Sequence, residues 1–196
     1  MDISEVDKIF NELQQKTEQI YPISPERKLK PLSKFNFWAD PFFVLTYPIP
    51  KKIHPPYYDY SNNPNIFFDT KIVEFLDETQ LKIILLHEEG HKRYFLNKLT
   101  WDDKQIEPLR LPYKHDGMIM EREINSDKYA VKIFSKLYSN FDSIKIIEIW
   151  QDALDVILTY MKKKWIYRIN RSNNFQESYD ERLKNIQKFC EEDLHR

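Results

Sequence analysis

The sequence predicts a mainly helical α+β fold, arranged as one domain of 196 residues with a small sheet or β-ribbon. The length alone favours a single domain, since domains commonly span roughly 100–200 residues. From about residue 70 onward, apolar residues recur at the spacing of amphipathic helices. Before that point, most of the 11 prolines interrupt an aromatic-rich segment and leave room only for short strands.

Residues 1–21 are expected to carry an N-terminal amphipathic helix over about 2–20. Apolar side chains repeat there every three or four residues, as they do on the buried face of a helix. They are Ile3, Val6, Ile9, Phe10, Leu13 and Ile20. The opening residues, MDISEVDKIF, are polar and acidic, and they lack the basic start and apolar run of a signal peptide.

Residues 22–64 form a segment rich in proline and aromatic side chains. Proline lacks a backbone N–H and fixes its own φ angle, so a long helix is excluded here. Two short runs nevertheless have the composition of strands, because aromatic and β-branched residues are favoured in sheets. The first run is Phe42–Tyr47, and the second is Asn65–Asp69 (NIFFD), with which the core region of residues 65–191 begins.

The region 65–191 is predicted to supply most helices of the core. A short helix over about 70–76 precedes Asp77 and Gln80, which have the spacing of a capping box. That box would begin a buried helix at about Glu78–Phe95. Later helices are expected at about Gly117–Tyr138, Ser143–Lys163 and Ser178–Glu191. The stretches Trp101–Lys114 and Tyr167–Phe175 between them are expected to be irregular.

Composition excludes several classes of function. The formal net charge is -1, and basic residues are interspersed with acidic ones rather than gathered into a basic patch. Nucleic acid is therefore not an expected partner. The two glycines are too few for a glycine-rich phosphate loop. No run approaches the roughly 18 uncharged apolar residues of a membrane span. With one cysteine, Cys190, the chain cannot build a disulfide framework, and we expect a soluble protein of the cytoplasm.

The chemically informative string is HEEGH, an HExxH motif late in the predicted buried helix, with His87, Glu88 and His91. A spacing of four residues puts both imidazoles on one helix face, where they can share one zinc ion. Glu88 lies about 100° around the helix, so it can reach a zinc-bound water without binding the metal itself. The pattern predicts a general base that takes the proton of that water and delivers it to a leaving amine.

An ordinary helix can carry two histidines by chance, so the motif competes with a metal-free interpretation. Two features favour the metal site. The apolar run Leu81–Leu86 predicts burial, where polar side chains without partners are costly. Gly90 lies inside the helix, at a cost of about 1 kcal/mol relative to Ala, which indicates close packing beneath the site.

A third ligand can be sought among the known completions of HExxH. A metzincin needs Gly and His where Tyr94 and Asn97 stand, and a deformylase-like site needs a cysteine upstream. A gluzincin needs a glutamate on a second helix and an acid four residues later, and Glu123 with Asp127 supplies that pair. Asp127 would accept a hydrogen bond from the far nitrogen of a ligand histidine. Glu121 is the rival third ligand, about 200° from Glu123 around the helix.

With these strings the chain resembles the peptidase clan of HtpX, the CAAX-prenyl endopeptidases and the compact soluble minigluzincins. In that clan an HExxH helix is followed by a helix that reads ExxxDxxA. Here the second string is EREINSDKYA, with Glu123, Asp127 and Ala130. The last helix of the clan carries an arginine after a His-Pro pair. Arg182 matches the arginine, and Gln-Glu replaces the pair.

The resemblance covers about residues 65–185 and implies a zincin-like domain, with the sheet beside the HExxH helix and the glutamate helix. It implies a zinc-dependent metallopeptidase, with Zn2+ as cofactor and a peptide or protein as substrate. The strand NIFFD would offer an edge to an extended substrate. The minigluzincins match best in size, because the membrane spans of the larger relatives are missing.

Three further residues are candidates for a donor that stabilises the developing oxyanion of a peptidase. They are His115, Tyr113 and Arg182, although the simpler interpretation of each is a loop or surface residue. Cys190 is expected on a helix face, and a thiol switch that blocks the zinc would require its sulfur to reach the site.

Two other hypotheses remain open at the level of sequence. The chain could be a regulatory or interaction module of the gluzincin fold, with a structural zinc or a cleft blocked by a terminal segment. Alternatively, it is a metal-free helical protein whose HExxH string is accidental. Zinc content separates the second hypothesis from a peptidase. Turnover that begins once a segment is trimmed would identify a blocked cleft.

Overall fold

The computed structural model describes residues 1–20, 29–31, 42–44, 66–94, 99–105, 116–163, 172–192 and 194. Most of these residues are helical, which confirms the prediction of a mainly helical protein. The helices are α1 (Ile3–Ile20), α2 (Glu78–Lys92), α3 (Asp116–Leu137), α4 (Ser143–Lys163) and α5 (Ser172–Glu192), with a 3-10 turn at Ile72–Glu74. Within the described ranges, none of the helices combines the length and the apolar character that crossing a bilayer requires.

Three short strands pair in the order β1-β3-β2, where β1 is Leu29–Pro31, β2 is Phe42–Val44 and β3 is Ile66–Phe68. β3 is the central strand: it runs parallel to β1 and antiparallel to β2. The prediction that NIFFD offers a free edge to a substrate is therefore wrong, because both edges of β3 are paired within the chain. The sequence does not predict β1, since Pro31 argues against a strand; the strand lies at the edge of this pairing, where proline is tolerated. The side chains of β1 and β2 lie outside the described part, so the placement of a sheet beside the HExxH helix stays a prediction. The assignment of the chain to a single domain also stays a prediction.

The helix α2 begins where the sequence predicts. The carboxylate of Asp77 accepts a hydrogen bond from the backbone N–H of Gln80 at 2.8 Å. The side chain of Gln80 accepts one in return from the backbone N–H of Asp77 at 3.0 Å. This capping box satisfies backbone groups at the helix start that would otherwise lack partners.

The predicted start of α5 is wrong. The helix begins at Ser172 rather than at about Ser178, so residues 172–175 are helical and not irregular, while residues 167–171 of the predicted irregular stretch lie outside the described part. Ser and Asn are disfavoured in helix interiors because their side chains form hydrogen bonds with the nearby backbone. The same hydrogen bonds make these residues favoured at helix starts. In the run SNNF, the first such residue marks the start, and the helix continues through Ser178.

The helix α2 lies in the buried core and packs closely against α3. Its buried apolar side chains are Leu81, Ile83, Ile84, Leu85 and Leu86. A Cβ added to Gly90 would lie 2.7 Å from Cα of Ser126 on α3, a distance that real Cβ atoms essentially never show. The prediction of close packing at Gly90 is therefore confirmed, and the helices that carry the candidate ligands approach to a distance that requires glycine.

A buried hydrogen bond ties α4 to the end of β3. The Tyr160 hydroxyl donates to Oδ2 of Asp69 at 2.8 Å, and the two residues are 9% and 4% exposed. Oδ1 of Asp69 accepts from the backbone N–H of Lys71 at 3.0 Å. Burial, this hydrogen bond and the charge of Asp69 raise the pKa of Tyr160, so the hydroxyl keeps the proton that it donates.

We expect Tyr160→Phe to lower the free energy of unfolding by roughly 1.5–3 kcal/mol, the range for a hydrogen bond to a charged group. Urea unfolding at an unchanged m-value measures this loss. Tyr179→Phe is the control, because the carboxylate of Asp155 that acts on the Tyr179 hydroxyl belongs to an exposed residue. Its loss should stay below about 1 kcal/mol. Equal losses in both variants would contradict a special contribution of the buried bond.

Candidate metal centre

His87 and His91 lie on one face of α2, as their spacing predicts. Their rings meet edge to face, with centroids 4.5 Å apart and planes at 89°. The side chains are 12% and 13% exposed. Both Nε2 atoms face the carboxylate of Glu123 on α3, so the two helices bring three potential metal ligands together.

Glu123 completes the donor set. Its Oε2 lies 3.4 Å from Nε2 of His87, and its Oε1 lies 3.3 Å from Nε2 of His91. One ligand atom from each of the three residues lies within 4.8 Å of the other two. Donors that share a tetrahedral zinc at about 2.0–2.2 Å are about 3.3–3.6 Å apart. The distances and the chemistry of two nitrogens and one oxygen therefore fit a zinc ion.

Glu121, the rival third ligand, faces away from the histidines. Its side chain is exposed, and its carboxylate interacts with the hydroxyl of Tyr94 instead of with a histidine. Burial, followed by the charge and hydrogen bond of Glu121, raises the pKa of Tyr94. Two residues along a helix are about 200° apart, so α3 can turn one of the two glutamates toward α2. The structure brings Glu123 to the histidines.

Asp127 lies behind His87, one turn after Glu123 on α3. Its Oδ1 is 2.8 Å from Nδ1 of His87, although the ring N–H is not aligned for a regular hydrogen bond. Asp127 is fully buried, and its Oδ1 also accepts a hydrogen bond from Nε1 of Trp150 at 3.2 Å. The structure thus places Asp127 where the sequence predicts a residue that orients a ligand histidine.

Arg182 reaches from α5 into the same cluster. Its Nε and Nη2 donate to the two carboxylate oxygens of Asp127, each at 2.7 Å. Its Nη1 lies 3.2 Å from Oε2 of Glu123. A planar guanidinium suits such paired contacts with carboxylates. These contacts favour a role in holding Asp127 and Glu123, and the role of Arg182 as an oxyanion donor stays a prediction.

The remaining sequence candidates are His115, Tyr113 and Cys190. His115 and Tyr113 lie outside the described residues, so their predicted role is untested. Cys190 lies in the core at 2% exposure, and burial raises the pKa of its thiol to about 12. The thiolate is the form that binds metals, so a thiol that stays protonated gives no support to a zinc-blocking switch.

Ser126 belongs to the site and is absent from the predicted residues. It is fully buried, and its Oγ lies 2.9 Å from Nδ1 of His91. The available signal is its position in EINSD, three residues after Glu123 and hence on the same side of α3. Serine occurs in helices for many reasons, so this signal has little weight until the contact with α2 is known.

Glu88 has a buried carboxylate oxygen without a partner. The residue is 5% exposed, and its Oε2 accepts no hydrogen bond from any residue that the structure describes. Burial raises the pKa of Glu88, and the charges of His91 and His87 offset part of that rise. Leaving such an oxygen unsatisfied is costly, so an observed case needs an explanation such as a catalytic role or a bound water.

Charges of opposite sign set the protonation of the cluster. Burial would lower the pKa of His87, but Asp127 and Glu123 raise it to about 10. Burial would raise the pKa of Glu123, but His91 and Arg182 hold it well below its usual value. Against burial, Arg182 and His87 also lower the pKa of Asp127. A metal must displace the proton of His87 to bind there, and the two carboxylates that favour this proton would favour a bound cation in its place.

Comparisons with protein-family models, with curated proteins and with solved structures find no match for this chain. The resemblance to the HtpX clan and the minigluzincins therefore stays a prediction that rests on the motif residues.

Proposed function

We propose that this chain is a zinc metallopeptidase that hydrolyses bonds of a peptide or protein substrate. One observation carries the proposal: the carboxylate of Glu123 on α3 lies 3.3–3.4 Å from the Nε2 atoms of His87 and His91 on α2. Two histidines one turn apart and a glutamate from a second helix are a recurrent donor set of catalytic zinc sites. Structural zinc sites are usually closed by four protein ligands, and the described residues supply three.

His87, His91 and Glu123 would hold the zinc ion, and neighbouring side chains contact His87 and Glu123. Asp127 lies behind His87, and Arg182 contacts Asp127 and Glu123 together. When bound, zinc polarises a carbonyl and lowers the pKa of water. Ligands that are already oriented need little rearrangement when the ion binds, which favours affinity.

Glu88 would act as general base and then as general acid. Its buried carboxylate is available to accept a proton from the attacking water and to deliver it to the leaving amine. Catalytic groups work best when their pKa lies near the operating pH. The rise of the Glu88 pKa through burial is a shift in that direction.

The metal content of the native chain is the first test. We expect about one zinc per chain by native mass spectrometry, since the site has one set of ligands. Glu123→Ala should lose the ion or bind it much more weakly, because one of three ligands is gone. Glu121→Ala removes an exposed carboxylate two residues away on the same helix, and it should keep the zinc.

Each outcome has a definite meaning. A native chain that takes up no zinc, even when zinc is supplied, would make the HExxH string accidental and remove the proposed function. Loss of zinc in Glu121→Ala, with retention in Glu123→Ala, would show that Glu123 is not the third ligand. Stoichiometric zinc without any hydrolysis would favour the regulatory module.

A further inference from the structure

Three consecutive side chains of α3 contact three different parts of the region around α2. Oδ1 of Asn125 accepts from the backbone N–H of Trp101 at 3.2 Å. Oγ of Ser126 lies 2.9 Å from Nδ1 of His91, and Oδ1 of Asp127 lies 2.8 Å from Nδ1 of His87. Each candidate ligand histidine therefore has its own partner on α3, one a hydroxyl and the other a carboxylate.

The position of Ser126 is fixed by its surroundings. The residue is completely buried, and its Cα, its carbonyl oxygen and its Cβ lie 2.7, 3.0 and 3.1 Å from the position that a Cβ on Gly90 would take. Gly90 directly precedes His91, so the backbone contact between the helices brings the Ser126 hydroxyl to the ring of His91. The contact thus follows from the tightest approach of α2 and α3, and it does not depend on a flexible side chain.

The orientation of the His91 ring gives the contact a chemical meaning. Its Nε2 lies 3.3 Å from Oε1 of Glu123, so this nitrogen faces the donor set and Nδ1 faces Ser126. A ring that binds a metal through Nε2 carries its proton on Nδ1, and that N–H needs an acceptor. A serine hydroxyl can accept this hydrogen bond, and it can also donate when the ring holds the other tautomer.

We propose that Ser126 is the positioning residue of His91: its hydroxyl holds the ring with Nε2 toward the metal, as Asp127 does for His87. The inference rests on the zinc site of the proposed function and adds a residue that neither the motif nor the resemblance assigns. A neutral partner also adds no further carboxylate to a site that already holds Glu88, Glu123 and Asp127. The site thus orients both rings while it limits the negative charge that must be buried.

Zinc affinity of Ser126→Ala tests this role. Alanine keeps the Cβ that packs on Gly90 and removes only the hydroxyl. We expect zinc binding, measured by competition with a chromophoric chelator, to weaken about 10- to 100-fold, the usual effect of losing such a partner. Ser135→Ala is the matched control on the same helix, because its hydroxyl bonds the carbonyl of Lys132 at 2.8 Å and should not affect zinc.

Ring nitrogen NMR supplies a readout that a purely structural role would not change. In 15N-labelled protein, Ser126→Ala should shift the Nδ1 resonance of His91 and leave that of His87 in place. In the native zinc-loaded chain, the Nδ1 proton of His91 should exchange slowly with water. That measurement keeps the test available if the variant fails to fold.

Several results would overturn the inference. Native zinc affinity in Ser126→Ala with an unmoved His91 resonance would do so. Equal shifts of both histidines would also do so, because they would indicate general loosening of the site. If the native chain binds no zinc, the proposed function fails, and the ring resonances of the metal-free protein still decide whether Ser126 holds His91.

Discussion

Replacing Glu88 by glutamine is expected to lower peptide hydrolysis at least about 100-fold while the zinc stays bound, since general acid–base catalysis contributes roughly 10²–10⁴-fold. Glutamine has nearly the volume of glutamate but cannot take up a proton. Glu88 is not among the residues whose donor atoms come together, so the change leaves the candidate ligands intact. The measurement is kcat/KM on a mixture of fluorogenic peptides, beside the zinc content of the same preparation.

The control is Glu89→Gln, the same chemical change at the next residue. Glu89 is buried to a similar degree, at 8% exposure against 5% for Glu88, but it lies on a different side of α2. We expect it to keep both zinc and hydrolysis. Peptide cleavage by Glu88→Gln at the native rate would show that the assigned mechanism is wrong. Loss of zinc from that variant would show instead that Glu88 supports the metal site.

Gly90→Ala is expected to destabilise the protein and weaken zinc binding together. The added Cβ would lie 2.7 Å from Cα and 3.0 Å from the carbonyl oxygen of Ser126, and backbone atoms cannot rotate away as a side chain can. Alanine is intrinsically favoured over glycine in a helix by about 1 kcal/mol. Overpacking commonly costs about 1–3 kcal/mol, and we expect it to exceed that gain because the contact is with backbone.

Both parts of the Gly90 prediction can be measured on one preparation. Urea unfolding without zinc gives the change in free energy of unfolding, and chelator competition gives the affinity. We expect a net loss of stability and at least about tenfold weaker zinc binding, because separating α2 from α3 moves Glu123 away from both histidines. A variant that is more stable than the native chain and binds zinc equally well would show that the helices can adjust.

Contacts within a single helix could be predicted from the sequence. The capping box of Asp77 and Gln80 depends on residues three apart, and the bounds of α4 follow from its apolar spacing. The ExxxD spacing favours Glu123 over Glu121 for the same reason, because it places Glu123 and Asp127 on one side of α3. The structure places Glu123 next to the histidines, as that spacing predicts.

Contacts between helices could not be predicted in the same way. The hydroxyl of Ser126 on His91 and the paired hydrogen bonds from Arg182 to Asp127 depend on how α2, α3 and α5 pack. Apart from its place three residues after Glu123, nothing around Ser126 distinguishes it from Ser135, whose hydroxyl bonds its own helix. The sequence indicated Arg182 through resemblance alone, and it suggested a different role from the one that its contacts favour.

The contact of Arg182 with Asp127 has a consequence for the order in which the chain matures. The two residues are 55 positions apart, so a ribosome completes α3 well before α5. Until α5 docks, Glu123 and Asp127 are like charges one turn apart without the guanidinium between them, an arrangement that disfavours α3. The final placement of both carboxylates beside the histidines should therefore come only when the C-terminal helix has docked.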